Sequence, residues 1–232
     1  MKRSTLFIVF LSFVSAILIF IINFIQHSQM TTLKEENRIL YAENKQLKAA
    51  STYDQELLKV DLEDDYTYWS NIEKIAEQMV SDSEGRFKQT WAIYLTNEAE
   101  KYAIDPFLVY ELLKVETGYT FDPHLIGPKT KYGHAYGMSQ FMKNTAPWVA
   151  ELAGLPYSDD LLFDPYYSMQ LAIVYLDFLH HKYQNWDEAL TAYHRGMTGM
   201  EQYRQKTGSA KSHYAERILT NAEGHHTFAI AK

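Results

Sequence analysis

The chain has 232 residues, 47% of them hydrophobic and 15% aromatic, with a formal net charge of −7 and no cysteine. The length holds one or two domains. The missing cysteines exclude disulfides, thiolate metal sites, cysteine nucleophiles and cysteine-linked lipid anchors, and the acidic balance without a Lys/Arg cluster excludes nucleic acid as the main partner.

Residues 6–25, Leu6 to Ile25, form an apolar run broken only by Ser12, Ser15 and Asn23. At about 1.5 Å per residue such a helix reaches about 30 Å, the thickness of a bilayer core. Lys2 and Arg3 precede it and no basic residue follows until Lys34. The positive-inside rule therefore leaves residues 1–5 as a cytoplasmic tail and places everything after Gln26 outside the membrane. Cleavage as a signal peptide at Val14-Ser15-Ala16 would leave Ile17 to Ile22 as an exposed apolar end, so a retained single-pass anchor is expected.

A stalk and linker follow over 26–65. Leu33, Leu40 and Leu47 recur every seven residues, with Met30, Asn37 and Asn44 at the companion positions of a heptad. The 30–51 stretch thus fits either a parallel homodimer in fixed register or a single amphipathic helix. Asp54, Glu56, Asp61, Glu63, Asp64 and Asp65 against the lone Lys59 then read as a solvated spacer that ends at a domain boundary.

Residues 66–232 suffice for one sizeable core and carry −5 of the net charge. Trp69, Ile72, Ile75, Ala76, Met79 and Val80 follow the 3.6-residue period, as do Trp91, Tyr94, Leu95, Ala99 and Tyr102. Asp105 reads as a cap and Pro106 as the first residue of a helix whose apolar face runs from Leu108 to Val115 and stops at Thr117-Gly118. Asp164-Pro165 opens a further helix, and Asp187-Glu188 another carrying Leu190 and Tyr193. No stretch alternates as a strand, so an all-α domain is expected, with one long loop from Thr117 to Tyr136.

Glu116 closes the helix that leads into that loop, where the helix dipole and the apolar residues Leu112 and Leu113 both disfavour its anion. A carboxyl so placed becomes a proton donor near neutral pH. Asp122, the only other acid before Gln140, stands in an Asp-Pro pair that reads as a turn former. His180-His181 and His225-His226 lack the spacing and acidic companions of a metal helix, so no metal is expected.

After Glu116-Thr117-Gly118-Tyr119 come Gly137-Met138-Ser139-Gln140 and then Ala192-Tyr193-His194-Arg195-Gly196. In order and spacing these segments resemble the lytic transglycosylases of the soluble-lytic-transglycosylase type, a branch of the lysozyme-like superfamily, over about residues 91–217. The resemblance implies a lysozyme-like helical domain behind the single transmembrane helix and short helical stalk, and a peptidoglycan glycan strand as substrate, with no cofactor. It implies Glu116 as the catalytic acid and then base, with Thr117, Gly137, Met138, Gln140, Tyr193 and His194 around the sugar. The motifs depart from the family pattern at Thr117 (Ser in the family), at the middle pair Met138-Ser139 and at His194, which replaces an Asn.

With one carboxyl the nucleophile must come from the substrate. In the family the muramyl C6 hydroxyl closes a 1,6-anhydro ring, and Tyr193 is implied to hydrogen-bond near Glu116 or the sugar. A goose-type muramidase with a positioned water, and a degenerate scaffold that binds glycan without cutting it, are the alternatives. Tyr132, Tyr136, Tyr157, Tyr166 and Tyr167 include both core rings and candidates for stacking on sugars.

Overall fold

The computed structural model describes residues 62–230, with side chains from 66 to 225, and residues 29, 30 and 34 besides. The membrane segment 6–25 and nearly all of the 30–51 stalk lie outside the described residues. Among those described, no helix is long and apolar enough to cross a membrane. The chain divides into two units, Met1–Asp65 and Tyr66–Lys232, and the second carries the fold below.

Eight α-helices follow one another among the described residues: α1 (Leu62–Asp82), α2 (Gln89–Lys101), α3 (Pro106–Glu116), α4 (Ala146–Leu152), α5 (Pro165–Tyr183), α6 (Trp186–Arg195), α7 (Met197–Thr207) and α8 (His213–Ile230). Asp105 caps α3 by accepting from the Phe107 N–H, and Asp164 caps α5 by accepting from Tyr167 N–H, each just before a first-turn proline. The α6 cap is Asn185, which accepts from Glu188 N–H; Asp187 and Glu188, expected to open this helix, lie in its first turn and complement its dipole.

Helix α5 is the centre of the domain, and this explains why its sequence is apolar nearly all round. Met169, Ala172, Ile173 and Leu176 face one core, built with α1, α2, α3 and α8. Tyr167, Leu171, Tyr175 and Leu179 face a second, built with α4, α6 and Phe141. Helix α3 is buried continuously from Phe107 to Leu113. Tyr167 is therefore core, whereas Tyr132 stays 66% exposed.

The expectation of no strands needs a correction. Ala135–Tyr136 (β1) pairs antiparallel with Phe141–Met142 (β2), Tyr136 opposite Phe141. Two-residue strands are too short for alternation to show in a sequence. The preceding loop is pinned to this hairpin, since Gly127 N–H donates to Ala135 C=O and Gly137 N–H to Leu125 C=O, both at 2.9 Å. Its start is fixed by the end of α3. Tyr119 N–H donates to Lys114 C=O and Gly118 N–H to Val115 C=O, a Schellman closure with Gly118 at φ +57°.

Candidate active site

Three elements converge on the end of α3. Glu116 is its last residue, Tyr193 and His194 come from the last turn of α6, and Tyr214 comes from the first turn of α8. The Tyr214 hydroxyl donates to Glu116 Oε1 at 2.5 Å. Glu116 is partly buried, and desolvation raises its pKa from 4.5 to about 7 against the opposing pull of that hydrogen bond. Near neutral pH the carboxyl is thus divided between acid and anion, and either form is available to a reacting group.

Both tyrosines are held well above their ordinary pKa, first by desolvation and next by the charge of Glu116. They remain hydroxyl donors. Tyr193 does not donate to Glu116: its hydroxyl goes to Ser139 C=O at 2.9 Å, and its ring packs on Phe141 and Tyr175. Tyr193 lies close enough to feel the carboxylate while bracing the hairpin turn. The His194 ring lies flat on Tyr214, centroids 4.5 Å apart and planes 6° apart. Desolvation, then the charge of Arg195, lowers its pKa below 6.5, so the stacked ring is neutral at pH 7.

The hairpin turn Gly137–Gln140 forms the opposite support. Gly137 has φ +73°, and a Cβ there would lie 1.9 Å from Leu162 C=O, so only glycine fits. The departure at Ser139 has a structural reason. Its side chain is fully buried, its Oγ donates to Ser168 C=O at 2.5 Å and its N–H to Ser168 Oγ at 3.0 Å, tying the turn to the first turn of α5. Gln140 uses its amide to clasp the loop, donating to Gly137 C=O at 2.7 Å and Leu125 C=O at 3.3 Å.

Two implied substrate contacts are placed elsewhere. Thr117 is 2% exposed, and its hydroxyl donates to Leu113 C=O and accepts from Phe121 N–H, so it secures the end of α3 instead of meeting a sugar. Met138 is 0% exposed and belongs to the core under the turn. Asp122 accepts from His124 N–H at 2.9 Å, which is the turn-forming role its sequence suggests.

Sequence reasoning missed Tyr214 and the buried polar group behind Glu116. Glu111 on α3 is 1% exposed and accepts from Asn221 at 3.0 Å, His225 at 2.8 Å and Lys114 at 3.0 Å. Lys114 also reaches Asp82 at 2.5 Å, and Tyr110 donates to the same Asp82 oxygen at 2.6 Å. Asp82, Glu111 and His225 bring ligand atoms within 4.8 Å of one another. The Lys114 ammonium already pairs with both carboxylates there. The α8 signal was present as Ala215, Ile218 and Ala222 at helical spacing, all buried.

The model of the transglycosylase SLT domain family matches residues 93–215, just over half of the chain. The chain belongs to this family. The match takes in Glu116, the Gly137–Gln140 turn, Tyr193, His194 and Tyr214, and ends before Asn221 and His225. No curated protein matches the chain. Among solved structures, the SLT domain is similar to an inactive mutant of the lytic transglycosylase Slt from Pseudomonas aeruginosa, with 20% identity and a TM-score of 0.51 over 64% of this chain and 26% of that one. It is also similar to the 70 kDa soluble lytic transglycosylase from Escherichia coli, with 18% identity and a TM-score of 0.51 over 63% and 26%. The fold is shared with both, and the chain spans about a quarter of their length.

Proposed function

We propose that this protein is a membrane-anchored peptidoglycan lytic transglycosylase in which Glu116 acts first as general acid and then as general base. The observation that carries this reading is a carboxyl with a pKa of about 7 whose side-chain partner is one neutral hydroxyl, Tyr214. The protonated Glu116 gives its proton to the glycosidic oxygen between N-acetylmuramic acid and N-acetylglucosamine as the C1–O bond breaks, and the 2-acetamido group assists at C1. The resulting carboxylate takes the proton of the muramyl C6 hydroxyl, and that oxygen bonds to C1. A 1,6-anhydro ring closes, no water is consumed, and Glu116 returns to its protonated form.

A two-carboxylate mechanism has less support. Glu111 is saturated by three donors and Asp122 closes a turn, so the two acids nearest to Glu116 in the chain are both committed. The Tyr214 hydroxyl moderates the pKa of Glu116, and Gln140 and Tyr193 hold the hairpin turn beside it.

The test is digestion of purified peptidoglycan by the wild type and by Glu116→Gln. Muropeptides with anhydromuramic ends from the wild type and none from the variant support the proposal. Reducing ends identify a muramidase, and binding without release of any fragment identifies a scaffold. Anchoring through 6–25 predicts that the full chain pellets with membranes and is freed by detergent, with the catalytic domain accessible from the extracytoplasmic side; a shorter soluble form would show cleavage. Cross-linking through the 30–51 stalk, lost when Leu33, Leu40 and Leu47 become Ala, tests the parallel dimer.

A further inference from the structure

Helices α3 and α8 run antiparallel, and polar contacts mark their register. Tyr214 meets Glu116, Asn221 and His225 meet Glu111, and the His225 ring stacks on Phe107 with centroids 4.4 Å apart and planes 9° apart. Positions rise along α8 as they fall along α3, so these contacts form one ladder down a single interface. From Tyr214 to His225 is about 16 Å of helix, and from Glu116 to Phe107 about 13 Å.

We propose that Glu111 is a positioning residue for the reaction: by holding Asn221 and His225 it fixes the height and rotation of α8, so that Tyr214 keeps its hydroxyl on Glu116. This rests on the reading of Glu116 as the catalytic acid. An interface made only of Leu, Ala and Ile side chains is nearly uniform along its axis and allows small slides. Directional hydrogen bonds to a buried carboxylate do not, which is the best attested use of buried polar groups. Glu111 is suited to the role because its buried charge is matched by Lys114 on its own helix, which continues the network to Asp82 at the end of α1. Asn221 and His225 lie beyond the residues matched by the family model. A displacement of about 1 Å breaks a contact as short as Tyr214 to Glu116 and is enough to impair catalysis.

The experiment uses the full chain in detergent, with the acid constant of Glu116 read by carbon NMR titration of its labelled carboxyl and, separately, from the pH profile of anhydromuropeptide release. Tyr214→Phe removes the hydroxyl that favours the anion and weakens the acid about three- to tenfold. Glu111→Gln and Asn221→Ala are each expected to weaken it in the same direction, to lower kcat severalfold with KM little changed, and to add nothing in the Tyr214→Phe background. An unchanged Glu116 titration in both folded variants, or a shift that persists undiminished in the Tyr214→Phe background, overturns the proposal. Asn221→Ala keeps the test available should Glu111→Gln fail to fold. Because the titration needs no substrate, a wild type that forms no anhydro ends overturns the functional reading alone.

Discussion

Glu111 and Glu116 stand on the same helix, five residues apart, and are driven in opposite directions. Desolvation is the largest influence on both. At Glu111 it is outweighed by hydrogen bonds from His225, Asn221 and Lys114, which hold the carboxyl below its ordinary pKa. At Glu116 one tyrosine hydroxyl offsets only part of it, and the pKa reaches about 7. The number and charge of the donors set against desolvation separate the structural carboxylate from the proposed acid.

The largest effect that tests this contrast is on turnover. Glu116→Gln is expected to reduce anhydromuropeptide release by about 10³-fold, within the range lost with a general acid–base group. A variant retaining more than a tenth of the activity would remove Glu116 from its role. Next comes stability. Glu111→Ala strands the Asn221 and His225 donors and leaves Lys114 with Asp82 alone, and is expected to cost about 2–4 kcal/mol in urea denaturation. Glu111 has a depressed folded pKa, so the stability it supplies is present above about pH 4.5 and is lost as the pH falls through the folded value. The deficit of Glu111→Ala should accordingly shrink in acid.

Glu116 reverses that sign. With a folded pKa of about 7 against an ordinary 4.5, its neutral form favours the folded state, and that contribution disappears as the pH rises through 7. Above pH 8 the ionised carboxyl costs about 3 kcal/mol relative to its low-pH state. Glu116→Gln should raise the melting temperature by several degrees at pH 8 and do little at pH 4.5. Two glutamates that gave the same pH slope would erase the distinction drawn between them.

The legible part of this site was what local pattern encodes. The caps Asp105 and Asp164, the apolar faces of α1, α2, α3 and α5, and the placement of Glu116 at a helix end all follow from residues within a few positions of one another. The partners were not legible. Tyr214 is 98 residues from Glu116 and Asn221 is 110 from Glu111, and no periodicity within α3 announces which helix will cross it. Thr117 and Met138 show the converse limit. Their motif positions are adjacent to the site in the chain, but a hydroxyl four residues after Leu113 finds the helix carbonyl first, and a methionine in a turn above an apolar core goes inward. Ser139, a departure from the family pattern, is a fastening of the turn through its two bonds to Ser168.

The smallest expected effect concerns His194, the substitution that departs furthest from the family pattern. Its neutral ring covers one face of Tyr214, a contact worth about 1 kcal/mol, while the far end of Tyr214 is held by Glu116 and its backbone by α8. Removing the stack by His194→Asn frees the ring face without releasing the hydroxyl, so turnover should change by no more than about threefold. Because desolvation lowers the His194 pKa, the descending limb of the wild-type profile near pH 7 should come from Glu116 alone. That limb should keep its position in His194→Asn and move to higher pH in Tyr214→Phe. A limb that moved in the histidine variant instead would show that the stack, and not the ladder along α8, is what holds the donor on Glu116.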